Sequence, residues 1–199
     1  MRLSKKGEYA LRSLINLGIA AEVKRSLVQV SELAESEQLP VKFLEQILQV
    51  LREAGYVESR RGKFGGYRLA KPANKIFIGE IVRLIDGPLA PIGCVSQTAY
   101  EPCTCPDEAH CGLRMLMVDV RNAIADILDR YSLADVVEIT LRKMRRDSVS
   151  LPFSPEGAGA EPRVRLPARA ARQQLARRGK ARTSPSEGVL HQILGEYSI

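Results

Sequence analysis

Between residues 28 and 69 the apolar positions change from a helical to an alternating spacing, and the change marks out a small recognition head. Phe43, Leu44, Ile47, Leu48 and Leu51 recur at the period of one helical face. Pro40 suits the first turn of that helix, where its missing N–H loses no partner. Lys42, Glu45, Gln46 and Gln49 fall on the other faces, and Gly55 ends the helix. A shorter helix is predicted upstream over 31–37. Ser31 is its candidate N-cap, and Glu32 and Glu35 lie near its positive end. Downstream, 56–61 and 67–70 read as two strands around Gly62-Lys63-Phe64-Gly65-Gly66, where glycine permits positive φ and a close backbone approach. Arg60, Arg61 and Lys63 gather positive charge at this tip. Two short helices, a tight turn and a basic hairpin make a winged helix-turn-helix. The fold class predicted is mainly α, with a small β-hairpin wing and a long C-terminal dimerisation helix.

The flanking pattern is helical. Residues 5–21 read as an amphipathic helix with Leu11, Leu14, Ile15, Gly18 and Ala21 inward, and 22–28 as a connection. Residues 72–77 lead out of the hairpin. A helix over 78–86 places Ile78, Ile81, Val82 and Ile85 on one face and stops at Gly87-Pro88. Pro91, Gly93, Pro102 and Pro106 break 89–110 into a loop. The longest helix is predicted over 111–131. Leu113, Met117, Val120, Ile124, Ile127 and Tyr131 alternate steps of four and three, the seam of a coiled-coil-like contact with its own domain or with a second copy. A last helix spans 133–146, with Val136, Val137, Ile139 and Leu141 apolar. Pro152, Pro155, Gly157, Gly159 and Pro162 then form a linker, and 163–182 is rich in Arg and Ala. That end reads as a solvated, disordered tail or as extra phosphate contact. The predicted division is 1–86 for the DNA-binding head, 87–110 for a sensor loop, 111–147 for dimerisation helices and 148–199 for the basic tail.

Composition adds an anionic partner and a compartment. Hydrophobic residues are 45% of 199, enough for a core, and the net charge is +7. Residues 148–199 hold eight Lys/Arg against four Asp/Glu, so the tail carries +4 and the rest of the chain only +3. The cluster at the hairpin tip is therefore a better argument for nucleic acid than the total charge. The first residues lack the apolar run of a signal peptide, and no apolar stretch approaches the roughly 18 residues of a membrane span. A cytoplasmic protein is expected, with no membrane partner. In a reducing compartment, four cysteines are ligands or redox thiols rather than disulfides.

Those cysteines are spaced Cys94-x8-Cys103-x-Cys105-x5-Cys111. Thiolates are soft ligands that suit iron–sulfur clusters and zinc. The spacing lacks the paired C-x2-C units of zinc fingers and is no ferredoxin run. A loop crossed by four thiolates cannot pack as a core, but a metal can fix its shape. An iron–sulfur cluster, structural zinc, and reactive or idle thiols are the three readings. In the head, Lys42, Glu45, Gln46 and Gln49 form a face that either stays solvated or enters the major groove, where Gln and Glu pair with adenine or cytosine edges. Arg60, Arg61 and Lys63 either belong to a solvated turn or reach backbone phosphates or the minor groove. The glycines beside them lack the Gly-Lys-Ser/Thr ending of a P-loop, and a strand follows them.

Several motifs in fixed order resemble the IscR/NsrR-type (BadM-like, Rrf) transcriptional regulators. They are Met1-Arg2-Leu3-Ser4-Lys5-Lys6-Gly7-Glu8-Tyr9-Ala10-Leu11, Phe43-Leu44-Glu45-Gln46-Ile47-Leu48 with Leu51-Arg52-Glu53-Ala54-Gly55, Arg61-Gly62 through Gly65-Gly66-Tyr67-Arg68-Leu69, and Ile78-Gly79-Glu80-Ile81. The likeness covers about 1–147. It implies a homodimer that binds palindromic operators on double-stranded DNA, with a sensing loop before the dimer helix. It also implies that Glu45 and Arg61 touch DNA. Members that hold a cluster present three cysteines here, matched by Cys94, one of Cys103 and Cys105, and Cys111, while the fourth ligand varies. A longer first interval and a fourth cysteine depart from that pattern. Glu8 stands where some relatives supply an acidic ligand from the partner subunit, His110 precedes Cys111, and Arg114 takes the place of a family histidine. All four cysteines on one cluster is a further option.

The leading expectation is a regulator, of repressor type, whose operator affinity is set by a [2Fe–2S] or [4Fe–4S] cluster sensing redox state, nitric oxide or iron supply. The alternative is the same fold without a cluster, governed by thiol oxidation or a partner protein. A redox enzyme or cluster carrier is the rival from another class. The chain offers it no nucleotide-binding fingerprint and only two histidines, so no enzyme is expected.

Overall fold

Leu14, Leu33, Leu44, Ile47, Leu48 and Leu51 are fully buried, and three helices bring them together. These are α1 (Lys5–Glu22), α2 (Val30–Glu37) and α3 (Val41–Glu53) of a computed structural model that describes residues 2–62 and 64–153. Lys63 and residues 154–199 lie outside the described residues, and with them most of the predicted tail.

Ser4 caps α1, its hydroxyl accepting from the Gly7 N–H at 2.9 Å. The buried face of α1 differs from the expected stripe. Ala10, Ser13, Leu14, Leu17 and Gly18 are buried, Leu11 and Ile15 are half-buried, and Ala21 is exposed. The helix packs against several others at once, so its burial spreads around the cylinder instead of following one line. The start of α2 also moves. Gln29 is its N-cap, not Ser31, and the Glu32 carboxylate accepts from the Gln29 N–H at 2.9 Å to close the capping box. The cause is tertiary: Val28 pairs with Tyr67 through two backbone hydrogen bonds of 3.0 and 2.8 Å, which fixes where the chain enters α2. Gln38 in the left-handed conformation (φ 54°) makes the turn, and Pro40 serves as N-cap of α3.

Strands β1 (Val57–Arg60) and β2 (Gly66–Leu69) form the antiparallel wing, Val57 opposite Leu69 and Arg60 opposite Gly66. β1 is two residues shorter than the sequence suggested, with Arg61 passing into the glycine turn, and β2 keeps its four residues but starts and ends one residue earlier than expected. The Gly65 N–H donates to the Gly62 carbonyl at 2.9 Å. Glycine is required at Gly66, where a Cβ would lie 2.5 Å from the Val28 carbonyl oxygen.

Helix α4 (Ile78–Asp86) ends at Gly87, and after the loop come α5 (Gly112–Arg130) and α6 (Leu133–Arg146). Ile78, Val82 and Leu89 form a second apolar cluster with Ile124, Ala125, Leu128, Tyr131 and Val136. Ser132 caps α6 and shares a reciprocal hydrogen-bonded pair with Asp135. Leu133, Val137 and Leu141 of α6 enter the first core beside α1. A Cβ on Gly18 would sit 2.6 Å from Val137 Cγ2, so only glycine allows this approach. Of the two helices grouped in sequence as dimerisation elements, α6 is thus bound into the head, and α5 alone presents a broad apolar surface.

That surface is only half of the expected seam. Met117, Ile124 and Tyr131 are half-buried, the last two in the second cluster with Leu128. Leu113, Leu116, Val120, Ala123 and Ile127, again at three- and four-residue steps, are exposed, Leu113 at 58% and Leu116 at 56%. One helix therefore carries two parallel stripes. The inner one packs on α4 and the outer one faces away.

Candidate functional site

Two features concentrate the chemistry: a basic groove at the root of the wing and a thiol pocket before α5. The groove, about 340 Å³, is lined by Gln29, Val30 and Ser31 at the start of α2, by Arg52 of α3, and by Ser59, Arg60, Arg61 and Gly62 of the wing. The Arg52 guanidinium lies 3.4 Å from the Ser59 hydroxyl, which joins the end of α3 to β1. Lys42, Glu45, Gln46, Gln49, Arg60 and Arg61 are all exposed. Gln49 donates to Glu53 at 2.9 Å, one turn along the helix. Lys63 lies outside the described residues. Arg52 was missed in the sequence as a groove residue. The signal was present, since it continues the polar stripe of Lys42, Glu45 and Gln49 by one more helical step. By contrast, Arg68 pairs across the strands with Glu58.

The thiol pocket, about 250 Å³, is lined by Cys94, Cys103, Cys105 and Cys111 together with Ile92, Gly93, Glu101, Pro102, Leu113 and Arg114. Cys94 is buried in a single 3-10 turn, Gly93–Val95, and Cys111 is the N-cap of α5. Arg121 of α5 donates to the Val95 carbonyl at 2.6 Å and pins that turn against the helix. Cys103 is half-buried and Cys105 exposed, and all four thiols are free. The Cys105 side chain is hydrogen-bonded to Cys103 and close to Cys111. The Cys103 hydrogen bond, with the nearness of Cys111, pushes its thiol up to about 11. Burial likewise raises Cys94. Among the described residues no three His, Cys, Asp or Glu side chains are grouped as a ready site for a single metal ion. The donor set still suits a cluster, which spreads soft ligands around several iron atoms rather than one.

A residue not anticipated from sequence organises this loop. Glu108 accepts from the Tyr100 hydroxyl at 2.7 Å, stands 3.7 Å from Cys103 Sγ, and meets Arg114 Nε at 3.1 Å. The Tyr100 hydrogen bond and the Arg114 charge hold its carboxyl below the usual range. Only its position in a cysteine-containing loop could have suggested it. The two minor ligand candidates lie elsewhere. His110 is 84% exposed and bonded to Asp107 at 2.7 Å, outside the pocket lining. Glu8 is held by Lys5 at 2.7 Å and Arg12 at 3.6 Å, also outside the lining of its own chain's pocket. Among the described residues, no helix is long and apolar enough to cross a membrane.

A head with this helix pair and hairpin, followed by a long helix, defines a winged-helix transcription regulator. Residues 3–139 match the Rrf2 model, described as an iron-dependent transcriptional regulator, and the chain belongs to that family. An Rrf2-like HTH-type transcriptional regulator of Rhodobacter capsulatus is 41% identical over 139 residues, covering 68% of this chain and 91% of the relative. The structure of CymR, titled the global cysteine regulator of B. subtilis, superposes with TM-score 0.58 at 30% identity and covers 70% of this chain and 98% of that one. T. potens IscR superposes with TM-score 0.55 at 27% identity, covering 75% and 93%. The family consists of transcription regulators and not enzymes.

Proposed function

We propose that this protein is a cytoplasmic, homodimeric repressor that grips a palindromic operator and whose affinity for it is set by an iron–sulfur cluster. The observation that carries the cluster reading is that four free thiols, spread over eighteen residues of loop, line one pocket against the N-terminus of α5. Cys94, Cys103, Cys105 and Cys111 would hold the cluster. Once bound, it would supply a redox couple and a reactive site for nitric oxide. Glu108 ties Cys103 within the loop, and Arg121 of α5 pins the turn that carries Cys94. The exposed stripe Leu113, Leu116, Val120, Ala123 and Ile127 is the surface for a second copy. Lys42, Glu45, Gln46 and Gln49 read the major groove, while Arg60, Arg61 and Lys63 reach phosphates or the minor groove.

The physical link between loop and head is short. Asp86, at the end of α4, accepts from the Ser4 N–H at 2.9 Å and from the Ser4 hydroxyl, so the helix that leads into the loop also anchors the start of α1. Ordering the loop can therefore alter how two heads are spaced, and half-site spacing decides whether both reach the groove. The test is anaerobic purification with a visible spectrum, iron and sulfide counts, and duplex binding before and after cluster loss. A colourless, iron-free protein with unchanged binding refutes the cluster.

A second reading keeps the fold and replaces the cluster by thiol oxidation. The contact of Cys105 with Cys103 and Cys111 favours it. Regulation that survives replacement of Cys94 and disappears with Cys105 would select it.

A further inference from the structure

Arg114 stands in the first turn of α5, where the helix's own positive end disfavours a cation and favours a carboxylate. That turn holds no acidic side chain. A residue placed against its local preference points to a task set by tertiary contacts. The thiol pocket supplies those contacts. Among the described residues that line it, Arg114 is the one cation, beside Cys94, Cys103, Cys105, Cys111 and a single carboxylate, Glu101. The guanidinium is held from the loop side: Glu108 meets its Nε at 3.1 Å and stands 3.7 Å from Cys103 Sγ. That Nε is buried and has no aligned hydrogen bond, so the Glu108 contact is ionic. Cys111 is the N-cap of the same helix, so the positive end of α5 borders the pocket as well.

Resting on the cluster reading above, we propose that Arg114 is the cationic wall of the thiol pocket, offsetting the negative charge of an iron–sulfur group held on the thiolates and so easing its reduction. Every bound thiolate brings one negative charge, whereas the lining brings one positive. Reduction adds a further negative charge: one electron enters from a soluble donor, no proton moves, and no bond is made or broken. A fixed cation beside that charge favours the reduced form. The Arg114 side chain is 37% exposed, so water screens part of its charge and holds the effect to about tenfold in the ratio of reduced to oxidised protein. A guanidinium does this without competing for iron, since it stays protonated and offers no lone pair. Arg114 therefore tunes the site without being a ligand.

Two measurements on the full chain test this. In the metal-free protein the thiols are alkylated with iodoacetate, which is anionic, or with iodoacetamide, which is neutral, and each cysteine is followed by peptide mass. Both reagents attack the same thiolate, so the ratio of their rates reads the local potential and cancels the ionised fraction. Arg114→Gln should lower that ratio at the pocket thiols roughly three- to tenfold at low salt, and high salt should erase most of the difference. Arg114→Lys, which keeps the charge, should stay close to wild type. Glu108→Gln, which removes the opposite charge, should raise the ratio. If Arg114→Gln and Glu108→Gln instead speed both reagents alike, the pair only braces the loop and the proposal fails. After anaerobic reconstitution, Arg114→Gln should bind as much iron as wild type. Its midpoint potential, followed by the visible spectrum, should move negative by the equivalent of about tenfold, ~59 mV for one electron, and Arg114→Lys should not move. An unchanged ratio or an unchanged potential in Arg114→Gln overturns the proposal. Wild-type protein that takes up no iron, while the ratio still falls in Arg114→Gln, overturns the cluster reading and leaves only the cation's action on bare thiols. An unchanged melting curve of each variant serves as the folding control.

Discussion

Arg83 of α4 grips Asp129 of α5 through two parallel hydrogen bonds, 2.6 Å and 2.7 Å long. The two helices thereby share a fixed register between the head and the outward face of α5. Gly79 makes room for the pair, since a Cβ there would run into the Asp129 carboxylate.

The Arg83 hydrogen bond holds the Asp129 carboxyl below its ordinary value. A depressed folded value means the pair's stabilisation is present above the ordinary carboxylate range near pH 4 and is lost as the pH falls through the depressed value. Both side chains are more than a third exposed, so its size is at most about 1 kcal/mol. Urea unfolding at pH 7 and pH 3 should show wild type losing more stability on acidification than Asp129→Asn. Equal losses would show that the pair is energetically idle.

Gly18 and Val137 set the approach of α1 to α6. Gly18→Ala gains helix propensity but forces a buried β-branched side chain to move, for a net loss of about 1–2 kcal/mol. The double variant with Val137→Ala should recover part of that overpacking in the same unfolding experiment. Strict additivity of the two changes would show that they do not touch.

On α5, Leu116→Glu or Val120→Glu puts charge into the exposed stripe. Sedimentation velocity should turn a dimer into a folded monomer, with helical circular dichroism retained. The monomer should occupy half-sites and lose affinity for the paired site. A variant that remains dimeric moves the interface elsewhere.

In the head, Gln46→Ala should cost about 1–3 kcal/mol on a selected duplex and relax one position of its sequence preference. Arg61→Ala should weaken all duplexes and reduce the salt slope by about one. Binding isotherms at several salt concentrations separate the two behaviours. Identical behaviour of both variants would deny α3 its reading role.

For the thiols, single Ser replacements at Cys94, Cys103, Cys105 and Cys111 should each lower bound iron after anaerobic reconstitution if all four are ligands. Full iron content in Cys105→Ser would reduce the protein's own set to three.

Much of this was written in the chain. The 3.6-residue period of α3, the glycine turn of the wing, the Gly87-Pro88 stop after α4 and the interval pattern of α5 are local signals, and each arises from backbone sterics or from one amphipathic face. The cysteine spacing likewise raises the expectation of soft-metal or thiol chemistry, and folding brings the four side chains to one pocket. Three-dimensional packing decided the rest, because it depends on residues far apart in sequence. Val28 meeting Tyr67 moved the cap of α2 from Ser31 to Gln29. Gly18 meeting Val137 drew α6 into the head. The α5 seam divided when Ile124 and Tyr131 found α4 and left Leu116 and Val120 outside. Glu108 became the hub of the cysteine loop only when folding placed Tyr100, Cys103 and Arg114 around it, and a carboxylate takes its role from the neighbours that solvate it.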